Sequence, residues 1–259
     1  MGQSLVRALR ESQNLKLSGA VASATSSRLG QDAAAEGEPL GVPITADPAT
    51  GLKGASTAVD FSTAPNTLAH VEACVAAGVP ILVGTTGFDA ACRGMLNMAA
   101  KSIPVLIAPN TSVGVGVVSQ LVSLATAALG AAYDVEISEA HHRMKRDAPS
   151  GTALALGEAV AAARGQDLDE LANYDRIGDS GPRSLGSIGF SARRAGDIVG
   201  EHTVTFAAAG ELVEITHRAT DRMTFARGAL RAAEWLIGRP AGLYGMSDVL
   251  GMDSHLRSR

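Results

Sequence analysis

Hydrophobic positions in the first 110 residues alternate between helical and strand-like spacing. Residues 3–12 place Leu5, Val6 and Leu9 at helical spacing, and the run 15–21 that follows is typical of a short strand. After a loop rich in Ser, Gly and Asp, the pattern predicts strands at 58–61, 80–84 and 103–108 and helices at 65–77 and 89–101. Apolar strands that alternate with amphipathic helices are typical of a parallel sheet covered on both faces, so this part predicts a doubly wound α/β domain.

The pattern changes beyond residue 113. It predicts a long apolar helix at 114–129, a strand at 133–140, a polar loop at 141–151 and a helix at 152–164. Three strand-like stretches then follow without helices between them, at 184–194, 200–208 and 211–219. Clustered strands indicate an antiparallel or mixed sheet, and hence a second domain of α+β type over 112–221. A closing helix at 223–237 and the tail to residue 259 are expected to return to the first domain, so that 1–111 and 222–259 belong together.

Composition narrows the classes of partner. The chain has 259 residues, 46% of them apolar, which is enough for two modest cores and excludes a disordered chain. Its 26 acidic and 22 basic residues leave a net charge of -4, without the global positive field that nucleic acid or anionic membrane usually needs. An anionic ligand must therefore be held by a local basic cluster.

Cysteine usage and the chain's hydropathy indicate a cytoplasmic protein. Cys74 and Cys92 both fall in predicted helices, so neither a disulfide framework nor a Cys-based metal site is expected. Residues 1–7 lack the apolar core of a signal peptide. No later run reaches the roughly 18 uninterrupted apolar residues of a membrane span. The sequence thus predicts a soluble protein that is not exported.

The strongest chemical signal is the polar loop before the helix at 152–164. Its first residues concentrate imidazoles and cations: His141, His142, Arg143, Lys145 and Arg146. The run Pro-Ser-Gly-Thr at 149–152 has the composition of a helix N-terminus, where backbone N–H groups and the helix dipole attract anions. We expect Ser150, Gly151 and Thr152 to hold one carboxylate, and Lys145 or His142 to hold another.

Other interpretations of this loop stay open. Ser150 or Thr152 would then only cap the helix, and the cations would form a solvated face. A metal site is disfavoured, because adjacent histidines at a strand end point to opposite sides and no nearby carboxylate or Cys has ligand spacing. Hydrolysis by Ser150 is also disfavoured, because the segment is not a Gly-x-Ser-x-Gly elbow and no third member of a triad is evident.

Two Gly- and Thr-rich turns follow buried strands, at 84–88 and 108–114. In a doubly wound sheet, nucleotides bind in the crevice beyond the carboxyl ends of the strands. Gly84 would let the backbone approach a ligand, and the threonines would offer hydroxyls. Each turn alone is equally well explained by a turn and a helix cap, but their repetition at successive strand ends favours a nucleotide site.

The segment 139–153 reads Glu-Ala-His-His-Arg-Met-Lys-Arg-Asp-Ala-Pro-Ser-Gly-Thr-Ala and resembles the signature of the 4-hydroxy-tetrahydrodipicolinate (dihydrodipicolinate) reductase family. The similarity extends over nearly the whole chain, through 60–62, 84–88, 110–114, 194–202 and 222–226. It implies an NADPH- or NADH-dependent oxidoreductase of the diaminopimelate route to lysine. It also implies a cytoplasmic homotetramer with a Rossmann-like dinucleotide domain (1–111 and 222–259) and a substrate-binding and oligomerisation domain (112–221).

The resemblance also assigns roles to residues. It makes His141 and Lys145 the catalytic acid–base pair, while His142, Lys145, Gly151 and Thr152 contact the dicarboxylate substrate. For the cofactor it implies the following residues: Gly2, Gly84, Thr85, Thr86, Ala108, Pro109, Asn110 and Thr111. Thr111 stands where an aromatic side chain is common, so no stacking is expected there.

The start of the chain departs from the family pattern. A strand and a glycine-rich loop normally precede the first helix, whereas here only Gly2 matches the end of that loop. We therefore expect a gap in the sheet, and an apolar strand with a glycine-rich turn ahead of Met1 in the native protein. No carboxylate follows the strand at 15–21, and Arg28 could meet a 2'-phosphate, so NADPH is at least as acceptable as NADH.

Two other functions remain open besides the reductase activity that the resemblance implies. One is a catalytically weak or silent relative that binds small dicarboxylates, since the cofactor loop is truncated. The other is an oxidoreductase acting on a different small carboxylic acid, such as an amino-acid dehydrogenase, which the paired anion-binding groups at 142–152 disfavour.

Overall fold

The computed structural model describes residues 1–252. The chain divides into two compact units: unit 1 comprises Met1–Val113 and Met223–Arg259, and unit 2 comprises Gly114–Arg222. The part of the predicted tail from residue 253 onward lies outside the described residues.

The helices and strands follow one another in this order: α1 (Gly2–Glu11), β1 (Ala20–Val21), β2 (Ile44–Thr45), α2 (Pro48–Gly51), β3 (Ala58–Asp60), α3 (Ala64–Ala77), β4 (Ile81–Val83), α4 (Ala90–Ala99), β5 (Pro104–Ile107), α5 (Val113–Leu129), β6 (Asp134–His141), α6 (Gly151–Ala163), α7 (Leu168–Leu171), β7 (Ala172–Asn173), β8 (Ile188–Arg194), β9 (Gly200–Ala208), β10 (Glu211–Ala219), α8 (Met223–Leu236), β11 (Gly242–Tyr244) and α9 (Met246–Leu250).

Unit 1 is built on a parallel sheet in the order β11-β5-β4-β3. Its central strands are apolar on both faces because helices cover both: Val71, Leu96 and Val105 belong to one core cluster, and Leu82 and Leu236 to another. The predicted helix at 65–77 is α3, and Gly78 ends it in the left-handed conformation that glycine adopts most readily (φ 66°). The prediction of a doubly wound α/β fold is confirmed.

The sheet of unit 1 is interrupted between β1 and β3. The parallel pair β1-β2 forms a separate two-stranded sheet, and among the described strands neither β1 nor β2 pairs with β3. A cavity of about 630 Å³ lies there, lined by residues 15–22 and 57–62 and by the N-terminal turn of α1. The predicted strand at 15–21 was too long, because only Ala20 and Val21 have a neighbouring strand with which to pair.

The sequence reasoning missed several short elements in stretches assigned to loops or to the tail. Asp47 caps α2 by accepting hydrogen bonds from Ala49 N and Thr50 N, with Pro48 at the first helical position. Strand β11 pairs in parallel with β5 and forms the edge of the sheet, and Gly242 lies opposite Pro104. The other missed elements are β2, α9, and α7 with β7 in unit 2.

Unit 2 is built on the mixed sheet β10-β9-β6-β8-β7. Strand β6 pairs antiparallel with β9 and parallel with β8. Alternate residues of these strands, among them Val135, Ile137, Ile188 and Phe206, form a core with α6 and part of α5. The prediction of a second domain with a mixed sheet is confirmed. Strand β8 begins later than predicted, since Ser187 N donates to Ser184 O in a turn.

Helix α5 is apolar over most of its surface. Residues Val113–Ala132 are long and apolar enough to cross a membrane by length and composition alone, with a mean hydropathy of 1.7. This qualifies the expectation of no membrane span, although a core helix of a soluble protein passes the same test. Val118, Val122 and Thr126 are buried on one side of α5.

Candidate active site

Three neighbouring strands of unit 2 bring polar side chains to one end of the core. Along β6 the buried row of Val135 and Ile137 continues into Glu139 and His141, because alternate residues of a strand share a face. Glu139 lies opposite His202 of β9, and His141 opposite Arg194 of β8. Strand register alone therefore places these polar residues at the ends of neighbouring rows.

Glu139 is the centre of this cluster. Its side chain is 1% exposed and forms a bidentate ion pair with Arg194, with both N–O distances 2.7 Å. Oε1 also accepts from Ser150 N at 3.1 Å, and Oε2 lies 2.6 Å from His141 Nδ1. Burial raises the pKa of Glu139, but hydrogen bonds from Arg194 and His141 lower it more, so the pKa lies below its usual range. Glu139 is therefore a buried carboxylate.

His141 joins this cluster to the loop that follows β6. Burial lowers its pKa, the hydrogen bond and charge of Glu139 raise it, and the charges of Lys145 and Arg194 lower it again. The result is a pKa below the ordinary value, which favours the neutral ring at pH 7. Its ring meets that of His202 edge to face, with 5.1 Å between the centroids.

His202 and Ser150 contact Glu139 and His141 and bind each other. Ser150 is the N-cap of α6: its Oγ accepts from Ala153 N at 3.2 Å and lies 2.9 Å from His202 Nε2. Burial, followed by the charge of His141, lowers the pKa of His202 to about 4, so His202 is neutral at pH 7. The Ser150 hydroxyl and backbone N–H are thus both engaged within the protein, and its predicted contact with substrate stays a prediction.

Lys145 lies in the loop and is largely covered. Its Nζ is 2.9 Å from both Oδ1 and Oδ2 of Asp147, and its side chain is 21% exposed. The Asp147 carbonyl in turn accepts from Arg194 Nη2 at 2.6 Å, which ties the loop to β8. The cations of this loop therefore do not all form a solvated face, because Asp147 holds Lys145 close to the Glu139 cluster.

The N-terminus of α6 faces the same loop. The first N–H groups of a helix point out of its N-terminal end, and here they belong to Gly151 and Thr152. Gly151 is exposed and Thr152 partly so. His142, also partly exposed, turns the chain between strand and loop, since its carbonyl accepts from Lys145 N at 3.1 Å. Unit 2 thus groups a helix N-terminus with imidazole and ammonium groups, an arrangement suited to a ligand with more than one carboxylate.

Unit 1 gathers a second set of predicted residues at the carboxyl edge of its sheet. Val83 and Ile107 pair at the ends of β4 and β5, so Gly84 and Ala108 lie at the same edge, with Ala108 N donating to Val83 O at 2.9 Å. A Cβ on Gly84 would lie 2.1 Å from the ring of Phe61. Packing against Phe61 is thus one reason for a glycine at position 84. The approach of a ligand to the backbone there stays a prediction.

The threonines at this edge differ in access. Thr85 is buried and donates to Asp60 Oδ2 at 3.1 Å, in a cluster where His70 Nδ1 is 2.9 Å from Asp60 Oδ1. Thr86 is exposed, as is Pro109, while Asn110 is partly so. Thr111 is buried and donates to Phe225 O at 2.7 Å. Of the two adjacent threonines, only Thr86 has a side chain open to a ligand.

Two features of unit 1, the N-terminus of α1 and Arg28, are suited to the phosphate groups of a dinucleotide. The N-terminal turn of α1, including Gly2, lines the cavity between β1 and β3, and α1 has no side-chain cap. Its N–H groups are suited to a pyrophosphate. Arg28 lines the same cavity and donates to Asp32 O at 2.8 Å.

Sequence reasoning missed Glu139, Arg194 and His202 as functional candidates. Glu139 carried a signal, since it continues the alternation of a buried strand as a charged residue. Arg194 and His202 lay within the stretches that carry the family resemblance, but no local pattern connected them with the loop at 141–151.

Comparison with known proteins agrees with these observations. The family model for the N-terminus of dihydrodipicolinate reductase matches residues 1–111, and that for its C-terminus matches residues 114–250. The 4-hydroxy-tetrahydrodipicolinate reductase of Thiobacillus denitrificans is 51% identical over 97% of this chain and 95% of its own length. That of Anaeromyxobacter dehalogenans is 50% identical over 97% and 94%.

A solved structure shares the fold. The dipicolinate-bound dihydrodipicolinate reductase from Paenisporosarcina sp. TG-14 superposes with a TM-score of 0.74 at 22% identity, over 95% of this chain and 94% of that chain. The chain therefore belongs to the dihydrodipicolinate reductase family, as the resemblance of its segment 139–153 predicts.

Proposed function

We propose that this chain catalyses the NAD(P)H-dependent reduction of 4-hydroxy-tetrahydrodipicolinate to tetrahydrodipicolinate in the diaminopimelate pathway of lysine biosynthesis. The observation that carries the proposal is the grouping of His141 and Lys145 with the α6 N-terminus at Gly151. Relatives about 50% identical over 97% of the chain bear the name of this enzyme. Nothing in the comparisons supports a catalytically weak or silent relative.

Unit 2 would bind the substrate. One carboxylate would accept hydrogen bonds from the N–H groups of Gly151 and Thr152, and the other would meet His142 and Lys145. Ser150 remains in the proposed set, although its own hydrogen bonds favour a role in fixing the start of α6.

His141 and Lys145 would carry the proton chemistry. The 4-hydroxyl leaves as water together with a neighbouring ring hydrogen, and when bound the cofactor supplies a hydride to a ring carbon of the unsaturated ring that this loss creates. Negative charge then develops on the substrate, and a cation held in place stabilises it better than mobile water does. Lys145 supplies that charge, and either Lys145 or His141 supplies the proton. Asp147 fixes the Lys145 ammonium by contact with both carboxylate oxygens.

Unit 1 would bind the cofactor. We propose Gly2 at the pyrophosphate, with Gly84, Thr85, Thr86 and residues 108–111 along the edge of the sheet. The residues after β1 read Ala-Ser-Ala-Thr-Ser-Ser-Arg at 22–28, without a carboxylate to repel a 2'-phosphate. NADPH should therefore bind at least as well as NADH, with Arg28 as its partner.

The enzyme is further proposed to be a cytoplasmic homotetramer. Helix α5 leaves Val117, Leu121 and Leu124 exposed at helical spacing, an apolar row of the kind that another subunit covers. Light scattering at micromolar concentration is expected to give the mass of four chains, and the mass of one chain would contradict it.

The decisive test supplies the purified chain with freshly generated product of the preceding synthase and follows nicotinamide absorbance with each cofactor. We expect oxidation of NADPH that depends on the synthase product. Arg28→Ala should weaken binding of NADPH and leave NADH binding unchanged, so NADH serves as the internal control. Failure of both cofactors to be oxidised would overturn the proposed function.

A further inference from the structure

Glu139 lies too deep to bind a substrate, yet it contacts a group that we assign to the chemistry. Its side chain is 1% exposed, and each of its oxygens has two hydrogen-bond partners. Oε1 accepts from Ser150 N and Arg194 Nη2, while Oε2 accepts from Arg194 Nη1 and lies 2.6 Å from His141 Nδ1. Two oxygens offer about four acceptor sites in all, so no acceptor site is left for a ligand.

These contacts determine which nitrogen of His141 carries a proton. A carboxylate paired with a guanidinium is ionised and can only accept hydrogen bonds. The proton between Glu139 Oε2 and His141 must therefore lie on Nδ1, across a distance of 2.6 Å. Nε2 is then the nitrogen that can take up or release a proton.

Gly200 of β9 leaves space beside the Nε2 edge of the His141 ring. A Cβ on Gly200 would lie 3.1 Å from His141 Nε2 and 3.5 Å from Cδ2. A side chain on β9 at this position would crowd the ring. Gly200 has an ordinary negative-φ conformation, so its missing side chain, and not its backbone freedom, is what the His141 ring requires.

We propose that Glu139 is a positioning residue that holds His141 as the Nδ1–H tautomer with Nε2 available for proton transfer, and that Arg194 keeps Glu139 ionised. In the neutral ring Nε2 accepts a proton, in the imidazolium it donates one, and Glu139 carries none in either state. The proposal rests on the proposed function of His141 and adds the residue that orients it. Buried carboxylates that orient a histidine act in this way in other enzymes.

The first test needs no activity. In ¹⁵N-labelled protein, two-bond proton–nitrogen correlations report which imidazole nitrogen is protonated, and His141→Asn assigns the signals. At a pH where His141 is neutral, we expect a protonated Nδ1 and an unprotonated Nε2. A protonated Nε2 would overturn the proposal, even if the enzyme proves to act on a different substrate.

The second test separates orientation from folding. Glu139→Gln should lower kcat by about 10- to 100-fold with little change in KM, because loss of an orienting partner typically costs that much. Glu136→Gln is the matched control: Glu136 lies on the same strand, pairs with Arg176 and Arg183, and contacts neither His141 nor Lys145. Wild-type kcat in Glu139→Gln would overturn the proposal.

The pH profile gives a third readout. Charged and titratable groups face His141 from β6 (Glu139), β8 (Arg194), β9 (His202) and the loop (Lys145). Glu139 raises the His141 pKa, so its neutralisation should move the His141 limb of the profile to lower pH. If Glu139→Gln does not fold, Glu139→Asp keeps the charge beside Arg194 but is one methylene shorter, so it loses the hydrogen bond to His141 Nδ1 and should move the same limb to lower pH; an unchanged limb in the folded variant contradicts the proposal.

Discussion

At the scale of single residues, loss of the Lys145 side chain should lower turnover strongly. Lys145→Ala removes a proton donor and a fixed positive charge next to His141, so turnover should fall by about 10²- to 10⁴-fold. Lys101→Ala, which removes an exposed lysine of unit 1, should leave turnover unchanged. Steady-state kinetics on folded variants provides the measurement. Turnover of Lys145→Ala within about threefold of the parent, well short of that range, would remove Lys145 from the mechanism.

The sequence singles out His141, His142 and Lys145 as candidates because their loop concentrates imidazoles and cations in an acidic chain, and their roles stay predictions. Glu139 and Arg194 could not be linked to them, because their meeting depends on the register between β6 and β8. Register is a long-range property that no local window contains.

At the scale of elements, the start of α6 supports the candidate site. Ser150→Ala removes the cap of Ala153 N and leaves His202 Nε2 without its partner. We expect the free energy of unfolding to fall by about 1 to 2 kcal/mol, as for other lost caps. Urea denaturation measures this change.

The matched control is the N-cap of α3. Thr63 occupies that position without a side-chain cap hydrogen bond, so Thr63→Ala should cost only a few tenths of a kcal/mol or less. Equal effects of Ser150→Ala and Thr63→Ala on the urea midpoint would show that the hydroxyl of Ser150 contributes no specific stabilisation.

Long helices were predicted to within a residue or two because their apolar spacing and end signals are local. Gly78, for example, marks the end of α3. Strand β1 was predicted too long because a strand exists only where a neighbour accepts its hydrogen bonds, and residues 15–19 have no such neighbour among the described strands.

At the scale of the whole molecule, buried histidines should make stability depend on pH. The pKa of His202 falls from 6.5 to about 4 on folding, mainly through burial. The unfolded chain therefore binds more protons than the folded one between these values, and stability is lost as the pH falls from 6.5 to about 4. The slope due to this one group is at most about 1.4 kcal/mol per pH unit.

Melting temperatures across this range check the expectation. His202→Gln keeps a polar group near Ser150 but does not titrate, so its melting temperature should fall less between pH 6.5 and about 4 than that of the parent. Parallel curves for the two proteins would show that His202 does not control acid sensitivity.

The two sheets of unit 1 should differ in amide hydrogen exchange. Ala22 N donates to Thr45 O at 3.0 Å beside the β1-β2 pair, and Ala108 N donates to Val83 O at 2.9 Å in the four-stranded sheet. Separating the smaller sheet breaks few backbone hydrogen bonds, so the Ala22 amide should exchange through a low-energy local opening and the Ala108 amide far more slowly. Equal rates would mean that the sheets open together. Unequal rates would mean that the β1-β2 pair opens and closes while the sheet carrying Gly84 and Ala108 stays closed.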